Sequence, residues 1–219
     1  MSFDLAFAVS TIPTILSVIG MTIGVALLSC LGASILGFSF EIVRRAGSAP
    51  GYVMRFAIDF IRSTPVLAWL YFLYFVLPHY GVTLPALAVG IMGLSIYFSG
   101  YLAEVFRAGI DAIPKGQAEA AKALGLRRRD ILFFVLAPQM LRNVAAPVGN
   151  YFVSILKATP YLAVIAVPEM LGKALDIASD TYRYAEPLAV VGVVFLLLAL
   201  TIAHIVKLIE RKFLEPTSR

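Results

Sequence analysis

Residues 5–40 read LAFAVSTIPTILSVIGMTIGVALLSCLGASILGFSF, 36 residues between Asp4 and Glu41 without one charge. As a single helix this stretch would measure about 54 Å, against a bilayer hydrocarbon core of about 30 Å, so only part of it crosses a membrane. Pro13 suits the first turn of a helix, which predicts a first span over 14–40 and leaves residues 1–13 as an interfacial segment. The whole chain has the same character: 219 residues, 60% hydrophobic, 14% charged, mean hydropathy +0.90. A soluble domain carries about a quarter charged residues, so this chain cannot coat a water-exposed surface and belongs in a membrane.

The next uncharged stretch, Ser63 to Ala103, is again too long for one crossing, and Pro78, His79, Tyr80, Gly81 and Pro85 supply turn chemistry in its middle. Spans over 56–77 and 86–106 follow. After a polar segment from Asp111 to Asp130, a fourth span over 141–166 contains Lys157, and a fifth covers 188–206. The expected organisation is an interfacial segment 1–13, a transmembrane domain 14–210 with a polar loop 111–138, and a tail 211–219. Fourteen of the 18 Lys and Arg residues fall on the side of that loop and of the tail, which by the positive-inside rule makes that side cytoplasmic and the N-terminus extracytoplasmic. With no Lys or Arg before Arg44, no cleaved signal peptide is expected. The same distribution accounts for the net charge of +5 and argues against nucleic acid as a partner. Cys30 alone makes no internal disulfide, and His79 and His204 stand apart from any ligand cluster, so no metal site is expected.

The cytoplasmic segment 112–143 reads AIPKGQAEAAKALGLRRRDILFFVLAPQMLRN. Pro114 suits a helix start, 118–124 is built from strong helix formers, and Gly125 suits a left-handed stop. A helix of about ten residues is too short to stand alone in water and must pack on something. Ala118, Ala121 and Leu124 recur at helical spacing, which predicts a small apolar face with Glu119 and Lys122 pointing away. Glu119, Ala120 and Ala121, then Gly125, then Val135 and Pro138 resemble the EAA motif of ATP-binding-cassette (ABC) importer permeases. Arg62-Ser63-Thr64-Pro65, the run from Tyr101 to Ile110, Gly116-Gln117-Ala118-Glu119, Pro138 to Arg142, Pro147 with Asn150, and Lys157-Ala158-Thr159 narrow the resemblance to polar amino-acid uptake permeases.

That resemblance implies an all-α integral membrane protein of the ABC importer type I permease fold, with five transmembrane helices and a cytoplasmic coupling helix, in a bacterial inner membrane. It also implies partners: a second permease subunit, identical or paralogous; two ATPase subunits, which use ATP and Mg; and an extracytoplasmic solute-binding protein. The permease binds no cofactor and catalyses nothing. Gly116, Glu119, Ala120, Ala121, Leu124, Gly125 and Arg127 are the expected ATPase-coupling residues. In keeping with this division, Gly172-Lys173 is followed by Ala174 and completes no phosphate-binding loop. Some positions depart from the family pattern: Ala137 for leucine, Ser63 for glycine, Trp69 for glutamine, and Lys157-Ala158-Thr159-Pro160-Tyr161 where K-D-T-S-L is common.

Ionisable residues inside spans are costly and usually face a cavity or a partner. Asp59 with Arg62, and Glu104 with Arg107, stand three residues apart and can pair. Lys157 lies beside a break at Thr159-Pro160, where it either caps freed carbonyls, pairs with a carboxylate, or meets a solute. Arg62, Thr64, Lys157, Thr159, Tyr161 and Glu169 form the candidate substrate pathway; for Glu169 the alternatives are a solute ammonium group and a solvated loop. The expected function is uptake of polar amino acids or related solutes such as opines or ectoine, the individual solute being left open. The alternative is a stand-alone channel or secondary transporter, which would move solute without ATP.

Overall fold

The computed structural model describes residues 3–47 and 49–213; most of the expected tail 211–219 lies outside them. Helices and short connections make up the described residues, which contain no strand. Asp4 opens α1 (Leu5–Leu16) by accepting the amide of Phe7 at 3.1 Å. Pro13 therefore lies inside α1 instead of starting the first span: the carboxylate cap nine residues upstream is the stronger start signal, and the missing proline N–H merely leaves one bond unmade. The chain turns at Ser17 and Val18, and the spanning helix is α2 (Ile19–Arg44).

The expected second span is broken. α3 (Ala49–Ser63) and α4 (Val66–Tyr71, extended by a π segment Phe72–Val76 and a 3-10 turn Leu77–Tyr80) meet at 103° across Thr64 and Pro65. Pro65 has no N–H to continue the ladder and disfavours helical geometry at Thr64, so the Thr64 amide takes the Ile61 carbonyl at 3.4 Å and the chain swings away. α5 (Ala86–Asp111) follows Pro85 as expected and runs five residues further. α6 (Lys115–Ala123) lies in the polar loop. Then α7 (Arg128–Asp130), a π segment (Ile131–Leu136), α8 (Ala137–Ala158) and a 3-10 turn (Thr159–Ile165) form a stretch of 38 residues, starting well before the expected residue 141. α9 (Met170–Thr181) is short, and α10 (Ala185–Phe213) closes the described chain.

Four helical stretches are long and apolar enough to cross a membrane, Ile19–Arg44, Ala86–Asp111, Arg128–Ile165 and Ala185–Arg211, and the bent pair α3–α4 makes a fifth. α2 and α5 pack closely, because small residues line their crossing: a Cβ on Gly37 would stand 2.9 Å from the Ser99 carbonyl oxygen. Around them Leu70, Leu94, Leu102, Ile155, Leu156 and Leu162 form the main core, and Ile15, Met170, Ala174 and Val191 a second one joining α1, α9 and α10. Leu27, Leu31 and Ile35 on α2, and Leu196, Leu197 and Leu200 on α10, are more than half exposed, as a lipid-facing surface requires.

Candidate functional site

α6 is a short helix closed at its C-terminal end. Gly125 adopts φ +77°, its amide bonds the Lys122 carbonyl at 2.9 Å, and the Leu126 amide reaches back to the Ala121 carbonyl at 3.2 Å, the double closure of a Schellman motif. Only glycine takes that φ without strain. Ala121 is buried and Ala118 half-buried against the π segment Ile131–Leu136 of the same chain, so the small face packs inward and is not offered to another molecule. Leu124 corrects the expected apolar stripe: it is 81% exposed, because it caps the helix where the backbone leaves helical geometry. Gly116, Glu119, Ala120, Lys122 and Arg127 are exposed, and Gly116 and Gly125 have open space beyond their Cα atoms.

The same end of the bundle carries a charge network that sequence spacing revealed only in part. The Arg44 guanidinium, almost fully buried, pairs with Glu41 and Glu104; Arg45 bonds Glu41 at 2.5 Å and Asp111 at 2.6 Å. The expected pairs form at its rim, Asp59–Arg62 at 3.9 Å and Glu104–Arg107 at 3.6 Å, and Arg62 also approaches Glu104 at 3.8 Å. Glu41 and Arg44, three residues apart at the end of the first span, were the signal available for the missed part.

Farther along the bundle lies a groove of about 420 Å³ between α4, α5 and α8. Tyr97 and Tyr101 stand one turn apart on α5 with ring centroids 5.4 Å apart, and Tyr101 meets Tyr151 of α8 at 6.1 Å. Ser154, Lys157 and Tyr161 complete the polar lining. An adjoining groove of about 500 Å³ shares Tyr101 and Tyr151 and runs toward Glu104, Ala112 and Asn143. The sequence signal for the tyrosines was four of them inside predicted spans, two at helical spacing.

The six candidate pathway residues separate accordingly. Lys157 and Tyr161 line the groove, and both are exposed. Arg62 sits at its edge, its guanidinium 5.6 Å over the Tyr101 ring and its carbonyl accepting the Tyr101 hydroxyl at 3.2 Å. Thr64 spends its hydroxyl on the Phe60 carbonyl at 2.8 Å, one turn back in α3. Thr159 is fully buried and donates to the Leu156 carbonyl at 2.8 Å, so it does not reach the groove. Glu169 is neither a solvated loop charge nor a groove residue. It is fully buried and caps α9, accepting the amides of Leu171 at 2.9 Å and Gly172 at 2.6 Å; burial pushes its carboxyl above the usual range against the pull of those amides.

Residues 33–215 match the family model described as binding-protein-dependent transport system inner membrane component. The chain is 39% identical to a probable amino-acid ABC transporter permease protein, y4tG, of Sinorhizobium fredii (strain NBRC 101917 / NGR234), over 94% of this chain and 90% of that one. It is 30% identical to the arginine transport system permease protein ArtQ of Bacillus subtilis (strain 168), over 97% of this chain and 98% of that one. Among solved structures, a crystal structure of an amino acid ABC transporter with histidines superposes with a TM-score of 0.89 at 31% identity, covering 97% of this chain and all of that one. A MetNI methionine ABC transporter in an inward-facing conformation shares the fold, with a TM-score of 0.76 at 17% identity. Helices, broken span and capped loop helix thus agree with the sequence match, and the chain belongs to the family of binding-protein-dependent transport system inner membrane components.

Proposed function

We propose that the chain is the membrane-spanning permease subunit of an ABC importer that takes up polar amino acids or related solutes handed over by an extracytoplasmic binding protein. It pairs with a second permease subunit and with two ATPase subunits that supply the chemistry. α6 is the coupling helix, the loop and tail face the cytoplasm, and the N-terminus faces outward, in keeping with the positive-inside count. The observation that carries the reading is α6 itself: a capped helix beside the membrane that seals its small face on its own chain and leaves Gly116, Glu119, Ala120 and Leu124 outward. Closure of the ATPases would move this lever and favour one arrangement of the grooves over another through differential contact. The names of the relatives, amino-acid and arginine permeases, support the solute class.

The test is ATP-driven uptake in proteoliposomes holding the complete complex and its binding protein. Gly125→Val puts a β-branched residue at φ +77°, and Glu119→Lys reverses an exposed charge on the outward face. Each variant should insert normally and lose coupled uptake at least tenfold. Uptake unchanged in both would refute the lever.

A further inference from the structure

The tyrosine-lined groove has one charged side chain of its own, and that charge is positive. Among the described residues Lys157 makes no ion pair or hydrogen bond, although it lies within the spanning stretch Arg128–Ile165. Its ammonium group is exposed to the groove and open to a counter-charge that arrives there. The rest of the lining consists of tyrosines, Ser154 and apolar residues, with no Asp or Glu. Glu104, which reaches the adjoining groove, is already committed to Arg44, Arg62 and Arg107. Arg62 adds a second positive group at the edge, over the Tyr101 ring.

Building on the importer reading, we infer that this groove selects net-neutral zwitterionic solutes and rejects cationic ones, with the Lys157 ammonium receiving the solute carboxylate and the ring faces of Tyr97, Tyr151 and Tyr161 receiving its positive end. The carboxylate–ammonium pair is a charge-assisted hydrogen bond, and tyrosine rings attract a cation within about 6 Å of their centroids. One positive end is matched in this way. A solute with a second cationic group, such as arginine, would bring an uncompensated charge beside Lys157 and Arg62 and find no carboxylate in the lining. The charge of the groove thus separates this chain from what the name of its arginine-transporting relative would suggest.

The experiment is equilibrium binding to the purified permease–ATPase complex in nanodiscs, without binding protein, so that only the membrane site is read. The probes are three neutral zwitterions of different shape, L-glutamine, L-proline and glycine betaine, and two cations, L-arginine and L-lysine. At least one zwitterion should bind tenfold or more tighter than either cation. Lys157→Met should lose that binding at least tenfold, Lys157→Arg should keep most of it, and Lys157→Glu should reverse the preference toward the cations. Co-purification with the ATPase subunits shows that each variant folds and assembles. Arginine or lysine bound as tightly as the best zwitterion, binding indifferent to Lys157→Met, or binding of none of the five probes would overturn the assignment. ATP-driven uptake by the same complex reports separately on the importer reading, which survives if uptake is coupled but the preferred solute is cationic.

Discussion

Replacing Gly37 with alanine tests the close crossing of α2 and α5. The new methyl carbon would stand 2.9 Å from the Ser99 carbonyl oxygen, 3.0 Å from the Ala103 nitrogen and 3.0 Å from the Leu102 Cβ. Non-bonded carbon is comfortable at about 3.5–4.0 Å, so the shortfall is roughly half an ångström at three points. Two of the three obstacles are backbone atoms of α5, which no rotamer change can move, so α2 and α5 must separate. Overpacking of this kind costs about 1–3 kcal/mol. Alanine returns up to about 1 kcal/mol through its better helix propensity, which leaves a net loss of up to about 2 kcal/mol relative to the parent and of about 1–3 kcal/mol relative to a glycine-to-alanine change without overpacking. Gly24→Ala is the control on the same helix: nothing lies within 4 Å of its Cβ position, so only the propensity gain operates. In thermal unfolding of the detergent-purified protein, Gly37→Ala should melt about 4–8 °C below Gly24→Ala. Equal melting temperatures would refute the argument that glycine at 37 is there for close approach.

The charge network gives a second test by double-mutant cycle. Arg44→Met leaves Glu41, 1% exposed, with only Arg45, and should cost about 3 kcal/mol, whereas Glu41→Met combined with Arg44→Met should recover most of it in the same melt; a double variant as unstable as the single would contradict a buried pair. The N-terminal cluster gives a pH dependence. The Phe7 amide and the nearby Arg183 guanidinium hold the Asp4 carboxyl below the usual range, so the cap of α1 contributes fully above about pH 4 and is lost as pH falls through the lowered value. Hydrogen exchange at the amides of residues 7 and 8 should be protected at pH 5 and accelerate, beyond its intrinsic rate, below about pH 3. Protection independent of pH would remove Asp4 from that role.

Charge deficit and proline placement made much of this architecture legible. Runs without charge located four of the spanning helices, and Pro85 and Pro114 marked the starts of α5 and α6. Gly125 was readable because only one residue type closes a helix at positive φ so easily. What escaped the sequence depended on competition between signals. Asp4 outranked Pro13 as a start for α1, and Pro65 turned what hydropathy reads as one span into two helices at 103°. Leu124 satisfied the spacing of an apolar face yet fell one residue past the helix, and Glu169 looked like a free loop charge because a cap depends on backbone direction, which residue order alone does not carry. The groove was legible at Lys157 and Tyr161 and dark at Tyr97, Tyr101 and Tyr151, since an aromatic inside a span reads equally as core.

Irregular backbone in this chain sits where proline removes a donor. The π segment Phe72–Val76 precedes Pro78, the π segment Ile131–Leu136 precedes Pro138, and the 3-10 turn Thr159–Ile165 begins at Thr159 and Pro160. Such backbone is tolerated at membrane depth only against protein or a water-filled cavity, and these breaks flank α4 and α8, two of the helices that line the groove. The second break has a further consequence. α6 packs its small face on Ile131–Leu136, which continues without interruption into α8, where Tyr151, Ser154 and Lys157 stand in the groove wall. At the near end of α8, Asn143 donates to the Gly109 carbonyl at 2.9 Å, which fastens it to α5. Under the proposed coupling role, a displacement of α6 would reach one wall of the groove through this continuous stretch of the π segment and α8, while the opposite face of α5 stays clamped to α2 by small residues and buried charge. If α6 is the coupling helix as proposed, its motion would shift Tyr151, Ser154 and Lys157 on α8 relative to Tyr97 and Tyr101 on the clamped α5, which is how a loop helix would govern residues that line the groove.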